Sequence, residues 1–114
     1  MDYERDNLLT DFGKTTLKDR YLLPDEQSPQ DAFMRASQAF SDNEEMAQRM
    51  YEYVSNLWCM FSTPILSNAG TKRGMPISCF LSYVGDSRGE LAEHYTENAW
   101  LASVGGGIAG YWGD

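Results

Sequence analysis

The chain changes character near its middle, and this change constrains the fold more than any other feature. Residues 1–50 carry 11 acidic and 6 basic side chains, whereas residues 51–114 carry 6 acidic and 3 basic side chains and most of the ten glycines. Charged, glycine-poor sequence is typical of solvated helices, and glycine is typical of turns and close backbone approaches. The sequence therefore predicts helices first, followed by an α/β segment.

The length and the charge limit what the chain can form and bind. Its 114 residues suffice for one small core, but a closed eight-stranded α/β barrel needs roughly 200–250 residues. The net charge of −8 argues against a nucleic-acid or anionic-membrane surface, which needs clustered Lys and Arg. No apolar run approaches the ~20 residues of a membrane span, and the start does not resemble a signal peptide. We therefore expect a cytoplasmic protein with neither nucleic acid nor membrane as a partner.

Helix signals recur through the first half of the chain. Thr15–Leu22 is expected to form a short helix that ends before Pro24. Ser28 and Pro29 begin a second helix, because Ser is a favoured N-cap residue and Pro fits the first helical position. The apolar residues of this second helix recur at helical spacing and are expected to face a core: Phe33, Ala36 and Phe40.

The strongest helix signal follows directly. Ser41 and Glu44 match the capping-box pattern S-x-x-E, which predicts a helix over Asp42–Met60. Pro64 ends this helix, because the residue before a proline avoids the α region, and residues 65–76 are expected to form a loop. The apolar residues of the helix recur at intervals of three and four and predict a core stripe of Met46, Met50, Tyr53, Leu57 and Phe61.

A strand, a helix and a second strand are predicted after the loop. Ile77–Val84 alternates between two faces as a strand does, and Ser87 and Glu90 form a second capping box for a helix that ends near Ser103. Three glycines stop that helix, and Ile108–Trp112 predicts the second strand. This order is the start of an α/β unit.

Three glycines near the end spell G-x-G-x-x-G, at Gly105, Gly107 and Gly110. A dinucleotide-binding fingerprint must follow a strand and open a helix, whereas this one follows a predicted helix, so we reject that interpretation. Consecutive glycines still indicate a place where a ligand or another backbone comes close.

The two cysteines and the single histidine do not have the spacing of a metal site, so no metal ligands are predicted. Cys59 lies within the long helix pattern and is expected to be a buried free thiol. Cys79 lies in the middle of a predicted strand, where it is either a small core residue or a reactive thiol. His94 is expected to be exposed or half-exposed on its helix.

Four blocks of sequence resemble the catalytic (α) subunit of ribonucleotide reductase, in family order and at family spacing. They are Ser62–Gly70 (STPILSNAG), Ile77–Phe80 (ISCF), Gly85–Ser87 (GDS) and Val104–Ile108 (VGGGI), and the earlier stretch Thr16–Pro24 also resembles that family. The resemblance covers roughly residues 8–114. It implies N-terminal helices over residues 1–62, and, over residues 63–114, the first strand-helix-strand part of a ten-stranded α/β barrel that other chains complete.

The resemblance also implies a role for individual residues. Cys79 matches a strand cysteine that, with a partner further along the family's sequence, supplies reducing electrons and becomes a disulfide in each turnover. Four residues match positions that hydrogen-bond the substrate or lie against it: Thr63, Ser78, Gly106 and Gly107. Three match the beginning of the site for a dNTP effector: Asp86, Ser87 and Arg88.

The implied activity is the reduction of ribonucleotides to deoxyribonucleotides by radical chemistry. The resemblance implies several partners: the remaining α-subunit fragments, a ribonucleotide substrate, a dNTP or ATP effector and a thioredoxin- or glutaredoxin-type reductant. The radical would come from a metal-containing β subunit or, alternatively, from adenosylcobalamin, and the fragment alone would bind no cofactor.

From its initiating Met and its end after the glycine motif, we expect the chain to be the N-terminal piece of a split α subunit. The alternatives are a non-catalytic regulatory or nucleotide-binding remnant, a truncation, or a piece later joined to the remainder.

Overall fold

The computed structural model describes residues 1–113 as helices with one two-stranded sheet. The chain divides into two compact units, residues 1–76 and the segment that begins at Ile77. No helix within these described residues is long and apolar enough to cross a membrane. In chain order the elements are a 3-10 helix (Tyr3–Leu8), α1 (Asp11–Arg20), α2 (Pro29–Ala39), α3 (Glu44–Ser55), α4 (Thr63–Asn68), β1 (Cys79–Tyr83), α5 (Arg88–Ser103) and β2 (Gly107–Tyr111).

Side-chain caps start most of the helices of the first unit. Thr10 accepts a hydrogen bond from the N–H of Gly13 at the start of α1. Ser28 and Asp31 form a reciprocal capping box at the start of α2, with Pro29 in the first turn, as the sequence predicts. These caps satisfy N–H groups that have no partner inside the helix. Helix α1 begins at Asp11, four residues before the predicted Thr15, because Thr10 is its N-cap residue.

The core of the first unit lies between α2 and α3. Phe33 is fully buried on α2, as predicted, and packs in one cluster with Tyr51 and Val54 of α3 and Leu66 of α4. Phe40 is 44% exposed instead of buried, because it is the C-cap residue of α2 and lies beyond the face that packs on α3.

Helix α3 differs from its prediction at both ends and in its buried face. Asn43, not Ser41, is the N-cap residue and accepts from the N–H of Met46. The helix ends at Ser55 instead of Met60, and Leu57 adopts a φ of 61°, which an α-helix cannot contain. The buried residues are Ala47, Tyr51, Val54 and Ser55, whereas the predicted stripe residues Met46, Tyr53 and Leu57 are exposed and Met50 and Phe61 are half-buried.

The predicted loop after Pro64 contains α4. Ser62 is the N-cap residue and Pro64 lies in the first turn, where its missing N–H costs no helical hydrogen bond. Pro64 therefore begins a new helix instead of ending the previous one. Helix α4 packs on α2, so residues 63–76 belong to the helical unit of this structure.

The second unit is a strand-helix-strand arrangement, as predicted. Strands β1 and β2 are parallel and paired from Cys79 with Gly107 to Tyr83 with Tyr111, and α5 crosses between them. Alternate residues of β1 have different exposure: Phe80 and Ser82 are half-buried, whereas Cys79, Leu81 and Tyr83 are exposed. The fold is therefore a helix-rich α/β arrangement.

Candidate functional site

The first group of predicted site residues lies where β1 and β2 begin. Cys79 pairs in register with Gly107, and the N–H of Gly107 donates to the carbonyl oxygen of Ser78 at 2.6 Å. Ser78, Cys79 and Gly107 are thus held together by the sheet ladder, and Gly106 immediately precedes it. A cysteine thiol and a glycine backbone therefore lie on neighbouring strands at one end of the sheet.

The thiol of Cys79 is exposed. The Ser78 hydroxyl lies 4.0 Å from the sulfur and is itself partly accessible. Of the two interpretations that the sequence left open, the small core residue does not describe Cys79 within this chain. The thiol sits on a paired strand, so its Cα position is fixed while its sulfur can reach a solute.

Gly106 has no room for a side chain. A Cβ built there would lie 2.7 Å from the Phe80 ring and 3.0 Å from the carbonyl oxygen of Leu101. Gly105, directly before it, has a φ of 84°, which favours glycine. The glycine segment is therefore required by the turn from α5 into β2, quite apart from any ligand.

The second group, Asp86, Ser87 and Arg88, lies beyond the other end of β1. All three residues are exposed. The Ser87 hydroxyl caps α5 by accepting from the N–H of Glu90, and it donates to the Glu90 carboxylate at 2.8 Å. The hydroxyl of Ser87 is thus engaged in the helix cap, whereas its neighbours Asp86 and Arg88 present charged side chains at the same turn.

Thr63 belongs to the first unit, where it is the first residue of α4. Its side chain is exposed, and its hydroxyl lies 3.0 Å from the phenolic oxygen of Tyr21. The sequence does not predict this partner, because 42 residues separate the two side chains.

Two other expectations about single residues are wrong. Cys59 is exposed instead of buried, because α3 ends before it and no helix face carries it into the core. His94 is only 5% exposed, because α5 places it over the sheet. Its Nδ1 lies 3.3 Å from the Ser82 hydroxyl, its Nε2 lies 3.0 Å from the Asn98 amide, and the Trp112 ring meets it edge-on.

This histidine cluster is a polar feature that the sequence patterns did not predict. One signal could have pointed to it, because a glycine inside a strand often marks a close approach. A Cβ at Gly110 would lie 2.6 Å from the His94 ring. Within residues 1–113, no group of three or more His, Cys, Asp or Glu side chains could hold a metal ion.

Known proteins are similar to this chain over nearly its whole length. The family described as "Ribonucleotide reductase, all-alpha domain" matches residues 7–74, which hold the four N-terminal helices α1–α4. The ribonucleoside-diphosphate reductase large subunit of Invertebrate iridescent virus 3 is 42% identical over 109 residues, covering 95% of this chain and 17% of the viral protein. The α subunit of that enzyme from Helicobacter pylori (strain ATCC 700392 / 26695) is 35% identical over 114 residues, covering 92% of this chain and 14% of its own.

A solved structure is also similar. The α subunit of the Actinobacillus ureae class Id ribonucleotide reductase superposes with a TM-score of 0.80 at 34% identity, covering 99% of this chain and 22% of that subunit. The chain thus spans less than a quarter of each of these three relatives.

Proposed function

The chain belongs to the family of ribonucleotide reductase large subunits, and from that premise we propose that it supplies part of a reductase's substrate, reductant and effector sites. The relatives are ribonucleoside-diphosphate reductases, so the proposed substrate is a ribonucleoside diphosphate. The proposed product is the corresponding deoxyribonucleotide. Polypeptide beyond these residues is needed, because the chain covers only a fraction of each relative's length.

The observation that carries the proposal is the placement of Cys79. Its exposed thiol lies on a paired strand, in register with a glycine backbone against which a substrate can lie. The thiol of Cys79 and a second thiol from the remaining subunit would each lose one electron and one proton as a disulfide forms. Those two electrons and two protons reduce the ribonucleotide, whose 2′-hydroxyl oxygen leaves as water. A thioredoxin- or glutaredoxin-type dithiol then reduces the disulfide by exchange.

Four residues are proposed to hold the substrate. Thr63 and Ser78 each have an accessible hydroxyl, which can donate to an oxygen of the ribose or of a phosphate. Gly106 and Gly107 would present backbone to the substrate with no side chain in between.

Asp86, Ser87 and Arg88 are proposed as the start of the effector site. The Asp86 carboxylate can accept from a ribose hydroxyl, and the Arg88 guanidinium can pair with phosphate of a dNTP or ATP. The hydroxyl of Ser87 already caps α5, so its proposed contribution is to hold the turn that carries Asp86 and Arg88. This site would lie at the opposite end of β1 from the reductant thiol, so an effector and a substrate would not compete for the same residues.

The proposed partners would supply the parts of a reductase that this chain does not cover. A ten-stranded barrel would be completed by the remaining large-subunit segments, supplied by other chains, and this fits the open edges of the two-stranded sheet. The radical that starts the reaction would be supplied by a metal-containing β subunit or by adenosylcobalamin. No residue within 1–113 is assigned to holding that group.

Reconstitution tests the proposal directly. The chain is mixed with a second polypeptide that carries the large-subunit segments following this region in the family, together with the β subunit, a dithiol reductant and CDP or ADP. Deoxyribonucleotide formation that requires this chain supports the proposal. Binding of the second polypeptide without any deoxyribonucleotide would contradict it and favour a regulatory role.

A further inference from the structure

We infer that Tyr21 is a positioning residue that orients the hydroxyl of Thr63 toward the substrate. This inference rests on the substrate-binding role proposed for Thr63. The Tyr21 and Thr63 oxygens are 3.0 Å apart, which is hydrogen-bond distance, and both residues belong to the helical unit. Tyr21 is not among the residues proposed to contact the substrate. Its role would therefore be to act through Thr63, with which it is in contact.

The direction of this hydrogen bond decides what Thr63 can do. A threonine hydroxyl has one proton to donate and two lone pairs with which to accept. When the phenol of Tyr21 donates to Thr63, the threonine proton stays free to donate to an oxygen of the ribonucleotide. The same bond restricts rotation of the hydroxyl, so less rotational freedom remains to be lost on binding.

One arginine fixes the backbone on both sides of the pair. Arg35 donates from Nη2 to the carbonyl oxygens of Tyr21, at 3.2 Å, and Leu66, at 2.9 Å. Its Nη1 donates to the carbonyl oxygen of Ala69 at 2.7 Å. The guanidinium thus joins the end of α1 to α4, whose first residue is Thr63. Glu26 pairs with Arg35 at 3.0 Å, and both side chains are almost buried.

The surroundings of the pair also favour a bond between the two hydroxyls. Tyr21 and Thr63 line an open cleft of about 330 Å³ whose walls are mainly apolar, among them Leu17, Phe61 and Leu66. Thr16 is the other hydroxyl in this lining, and it already donates to the carbonyl oxygen of Phe12. Within this lining, the phenol therefore has Thr63 as its polar partner.

The experiment is a double-mutant cycle in the reconstituted reductase, with CDP as the probe. Tyr21→Phe keeps the ring and removes only the hydroxyl. We expect it to raise the KM for CDP about 2- to 10-fold, the range set by one net hydrogen bond, with kcat changed less than twofold. Thr63→Val should raise the KM by at least as much. Tyr53→Phe, which alters a tyrosine on the exposed side of α3, is the matched control and should leave the KM unchanged.

The combination of the two variants separates positioning from a direct role. If Tyr21 acts through Thr63, adding Tyr21→Phe to Thr63→Val changes the KM no further. Additive effects would overturn the inference, since Tyr21 would then contact substrate itself. A normal KM for Tyr21→Phe alongside a raised KM for Thr63→Val would overturn the inference and leave the proposed function standing. A normal KM for Thr63→Val, or no turnover in any preparation, would overturn both.

Urea unfolding of the chain itself supplies a readout that needs no turnover. The hydrogen bond predicts that the double variant loses less stability than the sum of the two single losses. Strictly additive losses would show that no such bond forms, and the inference would fail on that ground alone.

Discussion

Arg5 and Glu52 form a bidentate ion pair in the first unit. The two guanidinium nitrogens Nη1 and Nη2 donate to the two carboxylate oxygens of Glu52 at 3.0 and 2.9 Å, and Nη1 also donates to the Ser55 hydroxyl. The hydrogen bonds from Arg5 lower the pKa of the Glu52 carboxyl below its ordinary 4.5. The pair fastens the 3-10 helix at the start of the chain to α3.

This pair predicts an acid-sensitive contribution to stability. Because the folded-state pKa of Glu52 is lowered, the contribution is complete above pH 4.5 and is lost as the pH falls through the folded-state value. We expect Glu52→Gln to flatten the decline of the urea midpoint as the pH falls below 4.5. Glu45→Gln is the control, since Glu45 is 86% exposed and lies 3.6 Å from Arg49. Parallel acid profiles for Glu52→Gln and the unaltered chain would contradict the expectation.

At the same scale, sequence patterns predicted some side chains and missed others for a physical reason. The cap at Ser28 and the strand position of Cys79 follow from neighbours within a few residues. The burial of His94 does not, because it depends on α5 crossing over a sheet whose strands lie far apart in sequence. The Tyr21–Thr63 contact is likewise tertiary, so no local pattern reveals it.

Helix α3 shows at the element scale how a cap can be misassigned. Ser41 and Asn43 are both favoured N-cap residues, and the S-x-x-E pattern favoured Ser41. In the structure Asn43 accepts from the N–H of Met46, whereas Ser41 donates back to the carbonyl oxygen of Ser37 in α2. Ser41 therefore lies in the short connection between α2 and α3, and Asn43 is the residue that caps α3.

The cap assignment predicts a specific loss of stability. Asn43→Ala should lower the free energy of unfolding by about 1 kcal/mol, the usual value of an N-cap side chain. Asn43→Asp should retain most of it, since a carboxylate oxygen can accept the same bond. Urea unfolding measures both variants. The assignment is wrong if Asn43→Ala leaves the unfolding midpoint unchanged.

The turn from α5 into β2 gives a second element-scale prediction. Gly106→Ala should destabilise the second unit by about 1–3 kcal/mol, because its Cβ would meet the Phe80 ring and the Leu101 carbonyl. Gly89→Ala is the matched control in the first turn of α5, where the nearest atom lies 4.0 Å away. It should stabilise by about 0.5–1 kcal/mol by favouring the helix. Hydrogen exchange of the β1 and β2 amides measures both, and a neutral Gly106→Ala would contradict the packing.

The elements themselves were predictable where their signals are local. The alternation over β1 and the cap at Ser87 predicted the strand-helix-strand order correctly, including the end of α5 at Ser103. The end of α3 was not predictable, because it depends on a φ of 61° at Leu57, which no residue pattern indicates. The buried face of α3 was displaced by one residue because its contact with α2 decides which side faces inward.

Exposed apolar surface is extensive over residues 1–113. Large side chains of both units are exposed, among them Phe12, Trp58, Leu81, Trp100 and Trp112. Parallel sheets are normally covered on both faces, whereas one face of β1 is open here. Extensive exposed apolar surface marks an interaction site. These surfaces fit the proposal that further large-subunit segments complete the fold.

The central claim is that Cys79 is a reductant thiol of a ribonucleotide reductase. The most direct measurement is a single turnover of the reconstituted enzyme without external dithiol, followed by alkylation and mass mapping of the cysteine peptides. The account predicts that Cys79 is recovered in a disulfide with a cysteine of the remaining large subunit, while Cys59, which is also exposed, is alkylated. Formation of deoxyribonucleotide with Cys79 alkylated as fully as Cys59 would contradict it.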